Sequence, residues 1–291
     1  MTGSAKARPS GSAGRFAPSP TGDLHLGNLR TALAAWTAAR ADQGLFVVRM
    51  EDLDRVTSSI EHEHSQLADL AAIGITSDTV VVRQSERFGL YREAIAEFTA
   101  AGLTYECWCS RREIREAVTA PHPTSASGRY PGTCRDLSSR DRRARQAEGR
   151  PPAIRLRSEQ VEITFVDKIG GPVTGTADDA VLLRNDGVPA YQLAVVVDDA
   201  AQGIDEVVRG DDLLGSTPTQ ILIGRLLGLP APRFAHVPLV VTADGERLAK
   251  RHGAVTLREL GARGIDAATV RRRLLDSLEQ PGPMIYRPEE W

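Results

Sequence analysis

The stretch that decides the fold is Ala17-Pro18-Ser19-Pro20-Thr21-Gly22-Asp23-Leu24-His25-Leu26-Gly27-Asn28. A short apolar run from Gly14 precedes it, and the two prolines keep the turn that follows out of helix. A helical pattern then opens at Gly27, with one side formed by Leu29, Leu33 and Trp36. A helix N-terminus after a glycine-containing turn offers free backbone N–H groups and a positive dipole end to phosphate. We therefore predict a nucleotide phosphate site here, with His25 beside it as a donor.

A second segment, Arg247-Leu248-Ala249-Lys250-Arg251, lies in a glycine-flanked loop near the other end of the chain. Lysine is rare here, since Lys6, Lys168 and Lys250 are the three lysines among 36 lysines and arginines. An ammonium at position 250 is therefore expected to be specifically required, and its place suits clamping of a departing pyrophosphate. Taken alone, each segment also fits a plainer interpretation: a structural histidine before a helix, or a solvated basic loop.

Strand-like runs and helical patterns alternate in the first third of the chain. Residues 45–50 and 79–83 read as strands, and residues 61–73 and 87–100 read as helices. This βαβα order predicts an α/β fold with a doubly wound parallel sheet, which binds ligands at the carboxyl ends of its strands. Three motifs fall at such positions: after the strand that contains Arg15, after residues 47–50 and after residues 207–208.

The residue composition and the hydrophobic pattern change between residues 105 and 175. This range holds a cysteine-bearing stretch, a Pro/Ser-rich segment, an arginine-rich segment and two strand-like runs, and we expect it to be an insertion. We expect residues 14–104 and 176–256 to form the α/β domain, residues 257–291 a short C-terminal segment with a helix at 267–278, and residues 1–13 a disordered tail.

Composition excludes several classes of protein. The chain has 291 residues, 41% of them hydrophobic and 25% charged, and a net charge of −2, which argues against a uniformly basic nucleic-acid coat. A local basic stripe does occur between Arg135 and Arg150, and it fits either a solvated helix or an RNA contact. No apolar run is long enough to span a membrane, and the first 13 residues have no apolar core for a secretory signal. We expect a cytoplasmic protein.

Three cysteines, Cys107, Cys109 and Cys134, lie close together in the sequence. An odd number does not fit a disulfide framework and points to a reducing compartment. Three thiolates suit tetrahedral Zn²⁺, which needs a fourth ligand, and His122 is the chemically common candidate. The alternative is three free buried cysteines. We predict one structural zinc ion, which would tie the start of the insertion together.

These segments resemble the class I aminoacyl-tRNA synthetases. The stretch His25 to Asn28 is similar to their HIGH-type signature, and Arg247 to Arg251 to their KMSKS-type signature. The surrounding residues are similar to glutamyl-tRNA synthetases in particular, and three runs carry this narrower likeness: Arg15 to Gly22, Arg49 to Asp54 and Val208 to Leu214. The likeness extends from about Gly14 to the C-terminus. It departs from the class pattern at Asn28, where a histidine is expected, and at Ala249, which lacks the hydroxyl of the expected serine.

The resemblance implies a Rossmann-type domain that binds ATP and L-glutamate, with Mg²⁺ carried on the nucleotide phosphates. It implies a glutamate pocket lined by Arg15, Phe16, Ala17, Pro18, Ser19, Glu51, Tyr191 and Arg209. It implies nucleotide contacts from His25, Gly27, Asn28, Arg247, Leu248 and Lys250, of which His25, Asn28 and Lys250 would be catalytic. We assign Glu51 to the α-amino group and Arg209 with Tyr191 to the side-chain carboxylate, which arginine clamps well. Tyr130 matches the fourth zinc ligand of the family.

The length after the second signature bears on the acceptor of the glutamyl group. Glutamyl-tRNA synthetases continue with a helical domain that reads the anticodon, whereas 40 residues (252 to 291) follow Arg251 here. The resemblance is therefore to truncated paralogues, which implies a monomer that transfers glutamate to queuosine in tRNA(Asp). Three alternatives stay open: a truncated synthetase that charges a tRNA 3′ end, a catalytically silent RNA-binding paralogue, and an adenylate-forming ligase without an RNA partner.

Overall fold

A computed structural model describes residues 12–110, 112–114, 129–248 and 255–291. In chain order the strands are β1 (Gly14–Phe16), β2 (Phe46–Met50), β3 (Val82–Arg83), β4 (Thr104–Cys107), β5 (Ala153–Leu156), β6 (Glu162–Asp167), β7 (Gly171–Thr176), β8 (Val181–Leu183), β9 (Glu206–Gly210), β10 (Arg233–Val237), β11 (Val240–Val241) and β12 (Met284–Ile285). The α-helices are α1 (Leu26–Ala41), α2 (Ile60–Ala72), α3 (Phe88–Ala100), α4 (Ser139–Ala147), α5 (Tyr191–Gln202), α6 (Thr217–Leu226), α7 (Leu257–Ala262) and α8 (Ala267–Leu278).

A seven-stranded sheet forms the centre of the molecule, in the order β3-β2-β1-β9-β10-β6-β7. Its strands run parallel except β7, which pairs antiparallel with β6 at one edge. Gly14 in β1 pairs with Phe46 in β2 on one side and with Glu206 in β9 on the other. The chain order reverses at β1, so the carboxyl end of β1 is the switch point where such sheets bind ligands. The predicted α/β fold is confirmed.

Both faces of this sheet are covered, because alternate residues of a strand point to opposite sides. Val48 and Val208 pack with α1 and α8 on one face, whereas Val47 and Val207 pack with Ile221 of α6 on the other. All five residues of β2 are buried. Each buried aliphatic or aromatic side chain contributes roughly 1.5–3 kcal/mol, so these two layers hold β1 and the turn after it rigidly.

A smaller antiparallel sheet contains β4, β5 and β8. It packs on α3 and α5 through a cluster that includes Tyr91, Phe98, Leu156 and Leu182. The expected division at residue 175 does not follow the sheets, since β6 and β7 belong to the large sheet and β8 to the small one. The reason lies in packing. Ile163 of β6 is buried against the β9–β10 side, so β6 extends the central sheet.

The C-terminal segment packs against the start of the chain. The helix expected at 267–278 is α8, and it lies on α1 with Val270 and Leu274 buried. Arg30 of α1 is also buried and donates to Ser277 Oγ at 2.9 Å and to the Pro238 carbonyl at 2.5 Å. The segment thus shares one hydrophobic core with α1. Across the part of the chain that the structure describes, every helix is too short or too polar to cross a bilayer.

Candidate active site

A cavity of about 680 Å³ opens at the carboxyl ends of β1, β2 and β9. Every described residue predicted for the nucleotide and glutamate sites lines it, namely Arg15, Phe16, Ala17, Pro18, Ser19, His25, Gly27, Asn28, Glu51, Tyr191, Arg209, Arg247 and Leu248. Lys250, Ala249 and the competing zinc ligand His122 lie outside the described residues. The structure therefore brings residues from both ends of the chain to one cavity.

The start of α1 holds His25 in a defined orientation. His25 Nδ1 accepts a hydrogen bond from the Gly27 amide at 3.0 Å, and Asn28 Oδ1 accepts one from the His25 amide at 3.2 Å. Since Nδ1 is an acceptor, a neutral His25 ring carries its proton on Nε2, which is then a donor. A side chain at Gly27 would bring its Cβ to 2.9 Å from His25 Cε1, so the glycine makes room for the ring. Asn28, the third residue of α1, completes a capping box with the N-cap residue His25.

Both flanks of residues 249–254 are fastened to the rim of the cavity. The Leu248 amide donates to the Val240 carbonyl at 2.9 Å, and the Leu26 amide donates to the Val255 carbonyl at 3.1 Å. Arg247 Nη1 lies 2.6 Å from Asp212 Oδ2, just after β9. The start of α1 is therefore bonded through the backbone to Val255, and Arg247 is paired with the segment that follows β9.

A buried ion network lies behind the part of the cavity wall that Arg15 and Glu51 form. Arg49 is completely buried, and its Nη1 lies 2.8 Å from Asp199 Oδ1 and its Nη2 lies 3.3 Å from Glu51 Oε1. Arg15 Nε lies 3.3 Å from the same Asp199 oxygen. Burial raises the pKa of Glu51, although Arg49 and Arg15 oppose the shift. Burial also acts to raise the pKa of Asp199, but Arg15 and Arg49 outweigh it and hold that pKa low. Asp199 thus stays charged between two guanidinium groups.

Sequence reasoning missed Arg49 and Asp199 as functional residues. The sequence did contain a signal for Arg49, because it lies between Val48 and Met50 in an otherwise apolar strand. A buried arginine requires a buried partner of opposite charge. Asp199 gave no such signal, since an aspartate in a helix is ordinarily exposed.

Arg209 at the end of β9 is held by three side chains. Its Nε donates to His236 Nε2 at 3.1 Å, its Nη1 to Gln220 Oε1 at 2.7 Å and its Nη2 to Thr217 Oγ1 at 2.8 Å. A guanidinium group has five N–H bonds, and these three contacts use one each on Nε, Nη1 and Nη2. One N–H on Nη1 and one on Nη2 therefore remain available to a ligand. Burial lowers the pKa of Arg209, and burial together with Glu51 raises that of Tyr191. The two spare N–H groups form a fork that fits a carboxylate.

The predicted metal ligands come together away from this cavity. The sulfur atoms of Cys107, Cys109 and Cys134 all lie within 4.8 Å of one another. Tyr130 Oη is 3.3 Å from Cys107 Sγ and 3.5 Å from Cys109 Sγ, and it accepts the Cys134 amide at 2.9 Å. Ligands around a tetrahedral zinc ion stand about 3.8 Å apart when both are sulfur, so the donor set fits. This cysteine triad is able to bind a metal ion.

The fold and the cavity define a class of protein: an α/β protein whose charged cavity lies at the carboxyl ends of parallel strands, beside the N-terminus of α1. Residues 13–274 match the catalytic domain of class I tRNA synthetases (E and Q), and the chain belongs to this family. The protein is accordingly a ligase of the aminoacyl-tRNA synthetase type, as the sequence predicts. Membership implies ATP, an amino acid and tRNA as partners.

Similar proteins narrow the family further. The chain is 58% identical over 271 residues to the glutamyl-Q tRNA(Asp) synthetase of Nocardia farcinica, covering 93% of this chain and 86% of that protein. It is 49% identical over 292 residues to the protein of the same name from Symbiobacterium thermophilum, covering 95% and 90% of the two chains. Among solved structures, a glutamate tRNA ligase from Elizabethkingia meningosepticum in complex with its amino acid superposes with a TM-score of 0.71 at 29% identity. That match covers 84% of this chain and 53% of the ligase, so the chain spans about half of its length.

Proposed function

We propose that this protein activates L-glutamate with ATP, without needing tRNA, and transfers the glutamyl group to queuosine in the anticodon of tRNA(Asp). One observation carries the proposal: the cavity holds a buried guanidinium fork at Arg209 and a buried carboxylate at Glu51 beside the N-terminus of α1. A substrate with a carboxylate, an ammonium and a second carboxylate near the nucleotide matches this pattern of charge. The names of the relatives at 58% and 49% identity support the same acceptor.

In the proposed complex the side-chain carboxylate of glutamate accepts from the two spare N–H groups of Arg209, with Tyr191 beside them. The α-ammonium pairs with Glu51, which lowers the raised pKa of that carboxyl and keeps it ionised. Glutamine would instead place its amide N–H₂ group against the N–H groups of Arg209, and two donors cannot form a hydrogen bond with each other. The pocket therefore favours glutamate over glutamine.

Activation joins one oxygen of the α-carboxylate to the α-phosphorus of ATP, and the bond from that phosphorus to the bridging oxygen breaks to release pyrophosphate. No nucleophilic side chain is needed. The protein positions the two substrates and stabilises the charge that develops, using His25 Nε2–H, the amides at the start of α1 and the ammonium of Lys250. Mg²⁺ would accompany the phosphates of the nucleotide.

Transfer joins a hydroxyl oxygen of the queuosine cyclopentene-diol to the glutamyl carbonyl carbon. AMP leaves, the hydroxyl proton is lost, and the product is an ester. The exposed helix α4 is a candidate contact for the RNA backbone. None of its residues, all of which the structure describes, is buried, and Arg140 and Arg143 have no ion-pair partner within the described chain. Free guanidinium groups of this kind suit phosphate.

A structural zinc ion belongs to the same proposal, held by Cys107, Cys109 and Cys134 with Tyr130 as the fourth ligand. The amide of Cys134 that donates to Tyr130 Oη would stabilise the phenolate form that a ligand requires. The ion would tie β4 to the segment that leads into α4 and take no part in the chemistry. We further propose that the protein acts as a monomer in the cytoplasm, where thiols stay reduced.

The function is tested by labelling tRNA with radioactive glutamate in the presence of ATP, followed by mass spectrometry of the nucleosides. We expect glutamate on queuosine of tRNA(Asp), released by mild alkali, and no label on tRNA(Asp) that lacks queuosine. Label at the 3′ adenosine of tRNA(Glu), with none on queuosine, would instead establish a truncated glutamyl-tRNA synthetase. Absence of any glutamate activation would point to a silent RNA-binding paralogue.

A further inference from the structure

We propose that Asp167 and His236 are positioning residues that orient Arg209 for the side-chain carboxylate of glutamate. The inference rests on the proposed role of Arg209, and it concerns two residues that touch neither substrate. Asp167 ends β6, His236 lies in β10 and Arg209 lies in β9, so three adjacent strands of the sheet each supply one member.

The three side chains form a continuous buried chain of hydrogen bonds. His236 Nδ1 lies 2.7 Å from Asp167 Oδ2, and Arg209 Nε donates to His236 Nε2 at 3.1 Å. Asp167 and His236 are 2% and 4% exposed, so water does not compete for these contacts. Phe234 stacks on the His236 ring with centroids 6.1 Å apart and keeps its plane fixed.

The chain selects one tautomer of His236. Because Arg209 Nε always carries a proton, His236 Nε2 must accept, and the ring proton must therefore sit on Nδ1. Asp167 enforces this arrangement, since its carboxylate accepts the Nδ1 proton and offers none of its own. A ring with its proton on Nε2 would donate to Thr217 Oγ1, which lies 3.1 Å away, but it would oppose the Nε–H donor of Arg209 and remove one of the three contacts that hold the guanidinium group.

Asp167 is itself surrounded by donors. Its Oδ1 accepts from the amides of Ile169 at 3.0 Å and Gly170 at 2.8 Å, and its Oδ2 accepts from the His236 amide at 3.1 Å. These contacts leave no place for an amide N–H₂. In Asp167→Asn, the side-chain oxygen of the asparagine would continue to accept from the Ile169 and Gly170 amides. The N–H₂ group would then lie opposite His236 Nδ1, which would have to accept, so the ring proton would move to Nε2. This substitution therefore inverts the tautomer while it preserves size and shape.

The neutral state of His236 follows from its surroundings. Burial lowers its pKa, and the groups that face it are Asp167 from β6, Arg209 from β9 and Asp211 just after β9. Asp167 and Asp211 favour the protonated ring, whereas burial and Arg209 oppose it. A protonated ring would have no acceptor for Arg209 Nε, so acid should weaken glutamate binding through this residue.

The test compares Asp167→Asn with Asp179→Asn by glutamate-dependent exchange of pyrophosphate into ATP. Asp179 is an equally buried carboxylate that accepts from Tyr105, Arg135 and Ser158, none of which bonds to Arg209, His236 or Asp167. We expect Asp167→Asn to raise KM for glutamate roughly ten- to a hundredfold, with KM for ATP unchanged and kcat within about threefold. Asp179→Asn should lower the unfolding temperature without changing KM for glutamate.

Two variants of His236 distinguish a positioning role from a merely structural one, because only a positioning role predicts that they differ in KM for glutamate. Glutamine places an acceptor near the position of Nε2, whereas asparagine reaches only the position of Nδ1. His236→Gln should therefore keep a KM for glutamate nearer to that of the unchanged protein, and His236→Asn should raise it as Asp167→Asn does. The inference would be overturned if His236→Gln and His236→Asn changed KM for glutamate equally. It would also be overturned if Asp167→Asn and Asp179→Asn changed KM for glutamate equally.

The failure of this inference is distinguishable from failure of the proposed function. Arg209→Ala should abolish saturation by glutamate, whereas Arg225→Ala on the exposed side of α6 should have no effect. If Arg209→Ala binds glutamate normally, the proposed function is wrong. If Arg209→Ala loses glutamate but Asp167→Asn keeps the normal KM, the function stands and the positioning role falls.

Discussion

The amide of Leu26 donates to the carbonyl of Val255 at 3.1 Å and joins the start of α1 to the chain directly after residues 249–254. A bridge between His25 and Thr256 extends this contact. The histidine that begins the first signature and the end of the second signature loop are therefore held together without a ligand.

Lys250→Ala should slow formation of the adenylate by roughly two orders of magnitude or more and leave glutamate affinity nearly unchanged, because the ammonium acts on charge that develops in the transition state. Pre-steady-state release of pyrophosphate measures the step, and equilibrium dialysis measures glutamate binding. Lys168→Ala is the matched control, since Lys168 pairs with Glu206 at the opposite end of the sheet strands. A loss of glutamate affinity equal to the loss of rate would refute the assigned role.

Activation should proceed without tRNA, because protein contacts alone already hold both halves of the pocket. Arg209 has three protein partners, and Glu51 is 3.3 Å from the buried Arg49. Exchange of labelled pyrophosphate into ATP should depend on glutamate and should not change when tRNA is added. A strict requirement for tRNA would show that the pocket is incomplete as the structure presents it.

Purified protein should contain one zinc ion per chain, and Cys134→Ser should lose it and unfold at a lower temperature, since metal binding stabilises the folded state. Tyr130→Phe should weaken retention of zinc against a chelator. Tyr105→Phe is the control, because Tyr105 is buried in the same cluster and bonds to Asp179 instead of the cysteines. Elemental analysis measures the metal, and metal-free native protein would contradict the donor set.

Stability should fall as pH drops below about 6.5, the ordinary pKa of histidine, in a way that depends on His236. The native pKa of His236 is lowered by burial, so the unfolded chain takes up the proton first and protonation favours unfolding. Asp69 acts in the opposite sense, because burial and Asp23 raise its native pKa to about 6 and the native state takes up its proton first. The difference between the unchanged protein and His236→Gln in urea unfolding isolates the histidine. That difference should be larger at pH 7.5 than at pH 5, and a constant difference would contradict the assignment.

Several parts of the site were predictable because their signals are local. The two prolines, the glycine and the histidine in residues 17–28 specify a turn and a helix start through backbone restrictions that act within a few residues. Helix α8 has the predicted bounds, since Asp266 caps it and its apolar side recurs at helical spacing. The cysteines were identifiable from ligand chemistry and spacing alone as a group able to bind a metal ion, and their sulfur atoms do lie within 4.8 Å of one another.

The edge of the sheet was not predictable in the same way. Strand β6 alternates buried and exposed residues, and such a pattern suits either sheet. Its assignment to the large sheet depends on Ile163 packing with the cluster around Phe234, a contact between residues far apart in the chain. Asp167 reaches His236 only because β6 pairs with β10.

The sequence by itself determined the α/β class, the turn that leads into α1 and the family, because each depends on short runs whose backbone and side-chain chemistry is specific wherever they occur. Only the tertiary structure decided that Arg49 shares Asp199 with Arg15, and that Asp167 lies behind His236 and Arg209. A buried charge requires partners, but the partners come from whichever strands and helices pack beside it. That choice depends on the free energy of the whole core and is not encoded in any single segment.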